Sequence, residues 1–176
     1  MSSAPSGPPD GGPDYRQLGR RDIWLLTLAS AVVTANAYYI HPIIALVAED
    51  FGVSPSEIGL VPALNQIALA LGIFLLLPLG DRFSNRRLAT VFAAGQFLGL
   101  VAMALATDFR LFVAGSTFLG FSTITPYLLP AYASKRVSVR RLGQTTAMLT
   151  TGVIAGILVA RVGGGWLGEH YGWRTV

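Results

Sequence analysis

Five long apolar runs separated by short polar breaks dominate the chain. They cover about residues 23–48, 58–79, 88–106, 111–133 and 142–167. A bilayer-crossing helix needs roughly 20 apolar residues, and each run has about that length or more. The breaks read as tight hairpins, and the pattern predicts an all-α membrane protein with polytopic transmembrane helices. Pro42 lacks a backbone N–H and predicts a kink in the first span. Ser54 or Ser56 is set to cap the second span, with Glu57 in its first turn. Residues 22–176 form the transmembrane helical domain in this reading, and 1–21 a cytoplasmic tail. Ser2 to Pro13 holds too little apolar surface to fold, so the tail is expected to be disordered.

Composition supports the membrane class. The chain is 52% hydrophobic and 12% charged, against roughly 25% charged residues in an average soluble domain. The net charge of +4 could suit nucleic acid. That partner is excluded because the basic residues fall in loops between apolar spans, not along one face. No cysteine is present, so there is no disulfide framework and no thiol-based metal site. Charge placement sets an orientation. Arg16, Arg20, Arg21, Arg82, Arg86, Arg87, Lys135, Arg136, Arg140 and Arg141 lie in the tail and in the second and fourth breaks. Glu49, Asp50, Glu57, Asp108 and Glu169 lie in the others. Positive loops stay in the cytoplasm, so the N-terminus is expected inside the cell, with the protein in the plasma membrane.

Polar residues within the spans are candidates for chemistry. Asn36, Tyr39, Asn65, Gln66, Gln96, Thr123 and Tyr127 either line a cavity or make hydrogen bonds between helices. Arg161 is the one permanent charge inside a span. It either contacts an anionic substrate or a gating partner, or it snorkels to the interface. His41 is either a proton relay or a hydrogen-bonded wall residue. Span five spaces Gly152, Gly156, Ala160, Gly164 and Gly168 four apart. That stripe lets a neighbouring backbone approach closely. The spans hold no converging nucleophile, carboxylate pair or metal cluster, and no cofactor or enzymatic activity is expected.

The break at Pro78–Arg87 carries Gly80, Asp81, Arg82, Phe83, Arg86 and Arg87. It resembles the cytoplasmic signature of the major facilitator superfamily. Tyr38 to Pro42, followed by an acid and Phe51-Gly52-Val53-Ser54, is similar to the first helix and loop of bacterial drug and sugar efflux members. Gly172-Trp173-Arg174 extends the likeness to the end of the chain. Ser116 stands where many members carry a membrane-embedded Arg, and Ile157 where one motif has Pro.

The resemblance implies the N-terminal six-helix half of that fold, of which five spans are present, cut before the sixth. It implies secondary active transport of small organic molecules by alternating access, with efflux of drug- or sugar-like substrates as the nearest type and a proton as a possible coupling ion. Asp81 and its basic neighbours would then latch the cytoplasmic side, and spans one and four would line the cavity. Tyr39-x-x-Pro42 recurs as Tyr127-x-x-Pro130, as an inverted repeat would have it. The required partner is the missing C-terminal half. The alternative is a half-transporter or regulatory membrane protein acting with a second chain.

Overall fold

The computed structural model describes residues 17–176; most of the expected tail lies outside the described residues. Eight helices follow in order: α1 Arg20–Tyr38, α2 Ile40–Phe51, α3 Pro55–Leu76, α4 Leu79–Arg82, α5 Asn85–Ala104, α6 Phe109–Ser122, α7 Thr125–Ser134 and α8 Val139–Tyr171. They make five candidate membrane spans: α1 with α2, α3, α5, α6 with α7, and α8. The described residues contain no strand. The protein is an all-α, multi-pass membrane protein.

Local chemistry sets the boundaries. Ser54 caps α3: its Oγ accepts from the Glu57 amide at 3.3 Å, and the Glu57 carboxylate accepts from the Ser54 amide at 2.9 Å. This reciprocal pair satisfies two donors at the helix start. Asp108 caps α6, its carboxylate accepting from the Leu111 amide at 3.0 Å. Gly52 ends α2 with φ 61°, a left-handed turn that glycine adopts without steric cost.

Two spans are broken. In span one the helix is interrupted at Tyr39. Pro42 has no N–H to offer the Tyr38 carbonyl, so the ladder fails there. In span four the helix stops at Ser122 and resumes at Thr125, with Pro126 at the start of the new segment. A proline is tolerated in a first helical turn but cannot continue the preceding one.

The expected break at Pro78–Arg87 is shorter than a loop. Leu79–Arg82 forms one helical turn, and only Phe83 and Ser84 separate it from α5. Arg86 and Arg87 therefore occupy the first turn of α5. At the N-terminal side the first span opens at Arg20, and the Leu18 amide donates to the Arg136 carbonyl at 2.9 Å.

Span one lies along span five, and span four packs against spans two and three. One end of the bundle gathers the basic residues of α1, α4, α5 and α8; the other holds Glu49, Asp50 and Glu169. At this acidic end Val47, Val61, Phe112 and Trp173 form the main apolar cluster. Phe51 and Phe112 both meet the Trp173 ring, at centroid distances of 5.8 and 5.3 Å. Large side chains such as Trp24, Phe74, Phe97 and Val162 stay exposed, as lipid-facing surfaces require.

Candidate functional site

A cavity of about 300 Å³ lies among spans one, two, four and five. Thr34 and Tyr38 reach it from α1, Thr123, Pro126 and Tyr127 from the break in span four, and Thr150 from α8. Leu69, Leu149 and Val153 complete an apolar wall. No charged residue lines it among the described residues. Its polar groups are phenols and hydroxyls. Thr34 Oγ1 is buried with no hydrogen-bond partner. Such a wall can stack a flat ring on tyrosine and align one polar group by hydrogen bonding.

The break in span four positions Thr123. Its hydroxyl donates to the Leu119 carbonyl at 2.8 Å and accepts from Gln96 Nε2 at 2.8 Å. Gln96 Nε2 also donates to the Val33 carbonyl at 3.2 Å, which ties span three to span one. Asn65 Nδ2 donates to the Ser116 carbonyl at 2.7 Å. Asn65 and Gln96 are each 1% exposed. They are bonds between helices, not cavity wall.

Of the remaining candidates, Tyr127 lines the cavity. Asn36 and Tyr39 do not: they border a separate void of about 60 Å³ with Met103, Phe112 and Trp173. Tyr38 is the span-one tyrosine that faces the cavity. Tyr39 keeps a helical backbone (φ −59°, ψ −32°) and so points about 100° away from Tyr38, which a sequence match of Tyr39 with Tyr127 does not reveal. Gln66 is exposed on the outside of α3. His41 is half-buried and stacks on Tyr38 with ring centroids 5.2 Å apart. Arg161 is exposed. It lies 11 residues beyond Thr150 on the same helix, which places it within about 20° of the same direction. His41 follows Tyr38 in span one, and Arg161 follows Thr150 in α8, so each lies nearer the acidic end than the cavity residue on its own span.

The other groups have structural surroundings. Gly152, Gly156, Ala160 and Gly164 are all buried, and a side chain at Gly156 would fall on the Ala31 carbonyl. Gly80 lets α4 close on α7: a Cβ there would lie 3.0 Å from Leu128. Arg82, Arg86 and Arg87 are exposed beside it. Thr34, Leu69, Thr150 and Val153 were not among the sequence candidates. The four-residue spacing of Thr34 and Tyr38 was the available signal.

The described residues thus form a bundle of membrane-spanning helices with a cavity at a broken span. Residues 26–176 match the family model described as Major Facilitator Superfamily, and the chain belongs to that family. It is 31% identical over 157 residues to the "Uncharacterized transporter YgaY" of Escherichia coli O157:H7, covering 88% of this chain and 39% of that protein. It is 28% identical over 165 residues to the "Multidrug resistance protein B homolog" of Mycobacterium tuberculosis (strain ATCC 25618 / H37Rv), covering 89% of this chain and 30% of that protein. The chain thus spans well under half the length of these relatives. No solved structure matches it. Family and relatives point to membrane transport rather than catalysis.

Proposed function

We propose that this chain forms the N-terminal part of a secondary transporter that exports small organic molecules by alternating access. The observation that carries this reading is the cavity at the break in span four, where Tyr38 and Tyr127 face a space with no charged lining among the described residues. A weakly polar aromatic molecule suits such a wall. The multidrug name of one relative agrees with export. The charge asymmetry favours the basic end in the cytoplasm and the protein in the plasma membrane. The facing wall of the cavity would come from a C-terminal half, and the coupling ion would be a proton.

Efflux of Nile red, a neutral aromatic dye, from cells expressing the native protein tests the cavity. Tyr38→Ala and Tyr127→Ala are expected to slow efflux at least tenfold at unchanged membrane levels, and Tyr39→Ala much less. Equal efflux by Tyr127→Ala and the parent would sink the reading. The latch proposed for Asp81 is tested separately. Asp81→Asn is expected to lower efflux without lowering insertion, because a charge at a helix end is worth up to about 2 kcal/mol when partly buried. That is enough to shift a two-state population more than tenfold.

A further inference from the structure

A cleft of about 510 Å³, larger than the cavity at the break in span four, lies at the basic end between α1 and the start of α8. Arg20, Arg141 and Gln144 supply its polar rim; Ile23, Trp24 and Met148 supply its apolar wall. Arg20 is the first residue of α1, and Arg141 lies in the first turn of α8. Both are exposed, and neither has an acidic partner among the described residues. Two guanidinium groups therefore line one space without a salt bridge among the described residues. The N-terminus of α8 ends there too, and Ser138 at its start makes no side-chain cap, whereas the start of α1 already has the Asp22 carboxylate, which accepts from the Gly19 amide at 2.9 Å. Both features favour an anion there.

The shape of the wall narrows the ligand. Trp24 is 59% exposed, and Leu28, one turn further along α1, is 61% exposed. Together they continue the apolar side of the cleft along the lipid-facing surface. An indole beside arginines at the end of a span belongs at headgroup depth. A soluble anion would use the rim and leave this surface idle.

We propose that the cleft binds the headgroup of an anionic phospholipid. Arg20 and Arg141 would hold the phosphate, for which a planar guanidinium is the best-matched donor, and Gln144 would add a neutral one. Ile23, Trp24 and Met148 would lie along the upper part of an acyl chain. Such a site requires only that the helices cross a bilayer, and it is independent of what the central cavity carries.

The test uses the native protein in nanodiscs of equal phosphatidylglycerol and phosphatidylcholine, with retained lipid read by native mass spectrometry. Phosphatidylglycerol should be retained preferentially, and Arg20→Gln with Arg141→Gln should reduce that preference about tenfold, since each arginine near an anionic surface counts several-fold. Lys135→Gln with Arg140→Gln removes two charges from the same end but not from the cleft, and should leave the preference in place. Arg20→Lys with Arg141→Lys should keep part of it, which separates charge from misfolding. In discs of phosphatidylcholine alone, inorganic phosphate is the second probe. If it raises the unfolding temperature of the parent but not of the double Gln variant while the parent shows no preference for phosphatidylglycerol, the site takes soluble phosphate and the lipid proposal falls. Equal retention of both lipids by the parent, or equal loss in the two Gln pairs, overturns the proposal.

Discussion

Span five against span one and span four against spans two and three are two solutions to one problem. Lipid supplies no hydrophobic drive between helices, so contact must come from close approach or from hydrogen bonds. Span five uses approach alone. Gly152 and Gly156 rest on the Thr27 and Ala31 carbonyls, and Gly168 sits under Ile43. No side-chain hydrogen bond joins α8 to α1 or α2 among the described residues. Span four adds polar bonds to close contact. Gly120 meets the Asn65 backbone, while Asn65 and Gln96 donate across to Ser116 and Thr123. The Gln96 amide sits where span four is broken, and the Asn65 amide meets the unbroken part of α6. An unbroken helix such as α8 satisfies its own backbone, and a flat stripe is enough to hold it. A broken one leaves carbonyls and hydroxyls that need partners from a neighbour.

The largest expected effect follows from the stripe. Gly156→Leu forces a side chain into a backbone and should cost about 3 kcal/mol or more. The variant should lose its sharp unfolding transition in mild detergent or fail to accumulate. Gly143, on the same helix with open space around it, is the control. Gly143→Ala should change stability by less than about 0.5 kcal/mol. Equal effects at the two positions would break the contrast between stripe and surface.

The polar contact predicts smaller losses. Asn65→Ala removes the bond to the Ser116 carbonyl, which keeps its place in the α6 ladder, and opens a void, for about 2 kcal/mol. Gln96→Leu should cost about 1 kcal/mol, near the average for hydrogen bonds between membrane helices, because Thr123 keeps its bond to the Leu119 carbonyl. Unfolding midpoints of the two variants check the order. A loss for Gln96→Leu as large as for Gly156→Leu would mean that polar bonds, not approach, dominate both contacts.

How much of this was legible follows from the same contrast. A run of twenty apolar residues is a strong signal in one dimension, so five spans could be read directly, and Ser54 with Glu57 marked a helix start. The glycine stripe was legible because an unbroken helix keeps its period over the whole length of α8. At a break the period slips. Tyr38 and Tyr39 are adjacent but about 100° apart around the helix, and the match of Tyr39 with Tyr127 points to one while the four-residue spacing from Thr34 points to the other. Asn65 and Gln96 were ambiguous because an amide in an apolar run suits a wall or a neighbour equally; the choice lies with the carbonyl opposite. The basic cleft was hidden for a third reason. Arg20 and Arg141 are 121 positions apart, and each alone reads as an ordinary flank of a span.

The smallest effect belongs to a contact at the acidic end that joins both arrangements. Arg174 Nη1 donates to Asp50 Oδ2 at 2.6 Å, and its other terminal nitrogen donates to the Ala106 carbonyl at 3.2 Å. The group lies over the Trp173 ring, 4.1 Å from its centroid, and Trp173 also donates to Asp50. This links the end of span one to the ends of spans three and five. The pair is 45% and 43% exposed, so water and salt screen it, and the charge term should stay under about 1 kcal/mol. Asp50→Asn keeps an acceptor for Trp173 and should lower the unfolding midpoint only slightly, with the difference shrinking at 1 M salt. Arg174→Lys should cost more than Asp50→Asn, since an ammonium cannot reach Asp50 and Ala106 as a planar fork while covering an indole. The reverse order would mean that the ion pair, not the fork across three spans, closes this end of the bundle.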